Sequence, residues 1–144
     1  MEDENLLQML EFAVGEAVET LAVKESFEPF AYALTHDNDV MNVQSNISGD
    51  ERYEVLWQSL KDSASKQEIK AIVLLQESDV PEHFNIEGKR SIRVHVEHSE
   101  NIDEKIAGRF LYIPYDLSKD DKGLIDVHLF KPEPVAFVHE IFVS

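Results

Sequence analysis

The sequence has 144 residues, with 29 Asp or Glu against 13 Lys or Arg, a formal net charge of −16, 43% apolar residues and no cysteine. That length suits one domain whose core can hold it without staples. The missing cysteines exclude disulfides, Cys-ligated zinc or iron–sulfur sites and thiol nucleophiles, and they fit a reducing compartment.

The charge argues against nucleic acid and anionic membranes, which such a surface repels, and in favour of a basic protein partner. No run approaches the roughly 20 apolar residues of a membrane-crossing helix. The stretch Met1–Asn5 is acidic where a secretory or transit peptide would be basic, so a cytoplasmic location is expected. The acids are spread along the chain rather than gathered in a tail, as on a folded surface. No repeat, low-complexity tract or long linker divides residues 1–144, so one domain is expected.

In chain order, residues 3–23 predict an amphipathic helix. Leu6, Leu10, Ala13, Ala17 and Leu21 recur at helical spacing, Leu7, Val14 and Val18 widen the stripe, and Glu2, Asp3 and Glu4 favour its first turn. Two strand-like runs, Phe27–Leu34 and Val40–Ser45, flank the turn-forming His36–Asp39 and predict a hairpin. Asp37, Asn38 and Asp39 lack the ligand spacing of a calcium loop, and a tight turn accounts for them.

A second helix is expected over 50–64. Ser48 and Glu51 fit a capping box, and Tyr53, Leu56, Trp57, Leu60 and Ala64 form one apolar face. Ile69–Leu75 is apolar on both alternating sets apart from Lys70, as in a central strand covered on both faces. A loop through Val80–Glu82 and Gly88 leads to Ser91–Glu97, where Ile92, Val94 and Val96 alternate with Arg93, His95 and Glu97. Residues 106–115 predict a further strand. Leu124–Phe130 and Val135–Val143 predict a last hairpin across Lys131–Pro134.

The expected fold is α+β: a single domain with a mainly antiparallel sheet of five to seven strands and two helices, ordered α-β-β-α-β-β-β-β-β, the helices on one face. Profilin-like, roadblock-like and deaminase-like layouts share parts of that order.

The candidate site lies on the strands. Arg93, His95 and Glu97 share a face and His98 follows; Asp126 and His128 share the polar face of a later strand, and His139 lies on the last. If those strands are neighbours, imidazoles and carboxylates could converge to bind a divalent metal or exchange protons, as a small metal-binding protein or hydrolase would need. The plainer expectation is a solvated sheet face whose opposite charges pair across strands. No zinc-type or facial-triad spacing, phosphate-cradling glycine loop or serine elbow occurs, so neither a metal nor a cofactor is expected. Lys89, Arg90 and Arg93 are the only local basic cluster. Phe110, Tyr112 and Tyr115 are expected in the sheet core rather than on a base-stacking surface.

The segment Ser26–Leu34 resembles the first strand of cytidine-deaminase-like proteins. Their zinc signature is absent from 50–64, so their chemistry is not implied. Across most of the chain, F-x-P-F-A at Phe27–Ala31, V-x-V-E-H at Val94–His98 and Pro114-Tyr115 resemble a family of small bacterial proteins without an established activity. These features together favour a non-enzymatic, cytoplasmic protein-binding module of the immunity-protein kind. The alternatives are the His/Glu metal or hydrolase site and a structural homodimer joined through an edge strand or sheet face.

Overall fold

The computed structural model describes residues 4–43, 45–79, 90–99, 108–137 and 140–142. Among them the chain forms two helices and seven strands: α1 (Glu4–Lys24), β1 (Phe30–Thr35), β2 (Val40–Val43), α2 (Asp50–Ser65), β3 (Ile69–Asp79), β4 (Arg90–His98), β5 (Gly108–Lys119), β6 (Ile125–Leu129) and β7 (Glu133–Phe137). Every described pairing is antiparallel, the strand order is β2-β1-β3-β4-β5-β6, and β7 also pairs with β5. The α+β class and element order are those expected. The loop through Val80–Glu82 and Gly88, together with Lys89, lies outside the described residues.

The helices do not share a face. On one face α1 buries Met9, Ala13, Ala17 and Leu21 against Tyr32, Leu34, Ala71, Val73, Leu75, Ile92 and Val94. On the other, α2 buries Leu56 and Leu60 against Ala31, Ala33, Ile72 and Leu74, with Ile141 and Phe142 completing the layer. The cause is β3 itself. Both of its alternating sets are apolar, and each set needs its own cover. The buried line of α1 also turns slightly from the expected stripe, so Met9 is inside while Leu7 is 43% exposed.

Local chemistry sets the element ends. Glu25 takes a left-handed φ of 64° and closes α1 with its N–H on the Leu21 carbonyl at 2.9 Å. Gln67, with φ 59°, does the same for α2. The capping box expected at Ser48 and Glu51 is not formed. Gly49, at φ 78°, is the N-cap with no side-chain cap, and its N–H donates to Glu28 Oε1 at 3.2 Å. At the β1–β2 turn, Asn38 adopts φ 69°, and Asp39 N–H donates to Thr35 Oγ1 at 3.0 Å, so the tight turn is formed as expected.

The carboxyl-terminal strands differ most from expectation. β5 runs on past Tyr115 to Lys119, and β6 and β7 are not a hairpin. Both lie antiparallel along the same edge of β5, Leu129 opposite Tyr115 and Glu133 opposite Tyr112. Four steps on that edge therefore span three on β5, an interruption fixed by Phe130 N–H on the Pro114 carbonyl at 2.9 Å. Pro132 and Pro134 bring fixed φ and no N–H, which breaks the ladder locally, and the long β5 templates both pieces.

Candidate functional site

The alternation of β4 is realised, but its polar side is not solvated. Val73 pairs with Val96 and Leu75 with Val94 on the α1 face, while Ile72 pairs with Glu97, Leu74 with His95 and Gln76 with Arg93 on the α2 face. His95 and Glu97 are 0% and 1% exposed, beneath α2 and residues 140–142. The expectation of a solvated face is thus corrected. Alternation alone does not distinguish water from a polar lid.

Glu97 is the hub. With Nε2 carrying the proton, His95 donates to Glu97 Oε2. Glu140 N–H reaches Oε2 at 3.1 Å, Ile141 N–H reaches Oε1 at 3.0 Å and Oε2 at 3.2 Å, and Phe142 N–H reaches Oε1 at 3.1 Å. A carboxylate offers about four lone-pair positions, so these donors occupy its acceptor capacity. Burial pushes the Glu97 carboxyl upward, but His95 and the backbone donors outweigh it and leave the group below its ordinary value. Chemically this is a clasp: a buried carboxylate holds successive N–H groups of a segment that has left the sheet. Trp57, from the apolar face of α2, adds a second tie by donating from Nε1 to Glu140 Oε1 at 3.2 Å.

Arg93 continues the layer toward α2. Its guanidinium carbon sits 4.7 Å from the Phe110 ring centroid and 5.3 Å from that of Tyr53, and its Nη2 donates to the Tyr53 hydroxyl at 2.8 Å. With the Gln76 oxygen turned toward it, that oxygen accepts from Arg93 Nε at 3.2 Å and Nη2 at 2.5 Å. Burial raises the Tyr53 hydroxyl, and Arg93 offsets part of that rise. The Phe110 ring meets His95 edge-on at 5.0 Å.

Of the sequence-derived candidates, Arg93, His95 and Glu97 are therefore brought together, and His98, Asp126 and His128 are not. His98 is buried on the opposite face, across from Ala71. Asp126 and His128 are exposed on β6, where His128 lies opposite Asp116 and stacks edge-on against Phe130 at 4.8 Å. His95 lies opposite Phe110, so the two histidines are separated by six residues of β5, roughly 20 Å at the strand rise. His139 lies outside the described residues. Among the described residues no group of three or more His, Cys, Asp or Glu is placed to hold a metal ion. Of the expected basic cluster, Arg90 bridges Glu77 and Asp79 at 3.1 and 2.9 Å while Arg93 lies among rings, and Lys89 lies outside the described residues.

Nothing in the residue pattern marks the backbone of 140–142 as the partner of Glu97, because N–H groups carry no residue signature. The adjacent apolar pair Ile141-Phe142, buried at 2% and 4%, was the one available hint. Fold and site together define an antiparallel α+β domain covered on both faces and closed by a polar clasp. No protein-family model, curated protein or solved structure matches the chain.

Proposed function

We propose that this protein is a non-enzymatic, cytoplasmic binding module of the immunity-protein kind, which takes a basic protein on its acidic surface. The observation that carries the proposal is the net charge of −16 on a folded domain of 144 residues. A field of that sign speeds encounter with a cationic partner, rejects polyanions and makes affinity fall with salt. The clasp supports it from the other side. The most chemistry-like group of residues in the chain already has its hydrogen bonds committed to the protein's own backbone.

Affinity capture from the host's own lysate tests this. The expected result is a retained basic protein that elutes as salt rises from about 50 to 500 mM, its affinity weakening about tenfold or more. Retention of nothing, or only of proteins indifferent to salt, overturns the proposal.

A further inference from the structure

The acids are spread along the chain, but the cations are not. Residues 1–51 contain twelve Asp or Glu against a single Lys and no Arg, leaving seventeen against twelve for residues 52–144. This first third builds α1, which lies across one face of the sheet, and the β1–β2 hairpin at the sheet's edge. The same region exposes apolar side chains. Eight large ones are exposed among the described residues, and six belong to it: Leu7, Phe12, Val23, Val40, Met41 and Ile47. Coincidence of unpartnered apolar surface with the most one-signed charge distinguishes a binding face from a merely soluble one.

Phe12 is its centre. The ring is 60% exposed although it meets Tyr32 edge-on at 5.4 Å, so it is held in position while most of it remains open. The Tyr32 hydroxyl donates to both Glu16 oxygens at 2.9 and 3.0 Å, which fixes a carboxylate beside the ring pair. Burial and that carboxylate push the Tyr32 hydroxyl up to about 12, so it stays a donor at neutral pH. Phe30 and Phe27 extend the aromatic row at 6.1 and 5.7 Å, into a groove of about 410 Å³ reaching Asn42 on β2. Lys24 and Arg52 also line that groove. The Arg52 guanidinium is committed to the carbonyls of Pro29, Ser45 and Ile47. Toward Phe12 the same helix exposes Glu11 and Glu19, whereas Lys119 meets Glu25, just past its other end, at 3.7 Å.

We infer that the outer face of α1 and the β1–β2 hairpin form the docking surface, and that its occupant is a basic protein presenting Lys and Arg around an apolar recess that receives Phe12. This rests on the functional proposal above and gives it a location. Charge complementarity selects that occupant over a second copy, because a two-fold contact would set this acidic flank against itself.

Backbone amide NMR on the intact protein, titrated with cytochrome c as the basic probe at low salt, tests the location. Shift changes concentrated on α1 and β1–β2 are expected. Changes centred on β5–β6, or spread evenly, overturn the location and leave the basic-partner proposal standing; no changes at all overturn both. Glu11→Lys with Glu19→Lys should weaken probe binding about tenfold, against less than about threefold for Asp121→Lys with Asp126→Lys, which alters net charge equally. Equal losses from the two pairs overturn the location. Phe12→Ala should weaken binding about fivefold while Leu124→Ala leaves it unchanged, with circular dichroism confirming both folds; equal effects remove Phe12 from the centre. Sedimentation showing a dimer that Phe12→Ala returns to monomer makes the occupant a second copy and overturns the inference.

Discussion

On one side of β4, Ile92, Val94 and Val96 meet a helix whose contact line centres on Ala13 and Ala17; on the other, Arg93, His95 and Glu97 meet rings, an amide and a strip of backbone. The two sides are buried to similar depth by different means. Apolar contact is non-directional and tolerates small shifts of the covering helix. The carboxylate of Glu97 accepts only from N–H groups placed within hydrogen-bond reach, so it fixes which residues of the carboxyl-terminal segment lie over the sheet. One face gains its stability from area, and the other gains a defined register of its cover.

The sharpest way to break the contrast is Glu97→Ala. It leaves the N–H groups of Glu140, Ile141 and Phe142 without their buried acceptor and uncouples His95, and it is expected to cost about 3–5 kcal/mol in urea unfolding. A loss below about 1 kcal/mol would mean that water or another group replaces the carboxylate without penalty. On the apolar side, Ala17→Leu adds volume where α1 sits against the sheet and should cost about 1–3 kcal/mol. A neutral result would show the α1 layer to be looser than its 0% exposure implies.

The smallest effect is in pH. The folded-state value of Glu97 lies below its ordinary one, so its contribution is fully present above the ordinary carboxylate range and is lost as pH falls through the folded value. Stability followed from pH 7 toward pH 3 should therefore decline less steeply in Glu97→Gln than in the parent. Parallel curves would assign the acid sensitivity to other carboxylates.

Much of this contrast was legible in the sequence. Strict alternation in Ser91–Glu97 separated the two sides of β4, and the doubly apolar Ile69–Leu75 announced a central strand. That same observation implied two covers, yet assigning α2 to the second face depends on contacts between β3 and segments far away in sequence. The grouping of Arg93, His95 and Glu97 follows from period two along one strand. The distance to Asp126 and His128 depends on strand register, which no local pattern encodes. The continuity of β6 with β7 was hidden for a related reason. Two prolines in a short polar stretch signal a turn and an interrupted edge equally well, and only the length of β5 decides between them.

The clasp also imposes an order of events during synthesis. The fully buried residues of the α1 layer all precede Asp116 in the chain, whereas the partners of Glu97 lie more than forty residues after it. Until 140–142 arrive, the α2 layer lacks Ile141 and Phe142, and Glu97 lacks the three N–H groups they and Glu140 supply. A chain truncated after β7 would therefore keep the strand partners of its sheet but not the lock over its α2 face.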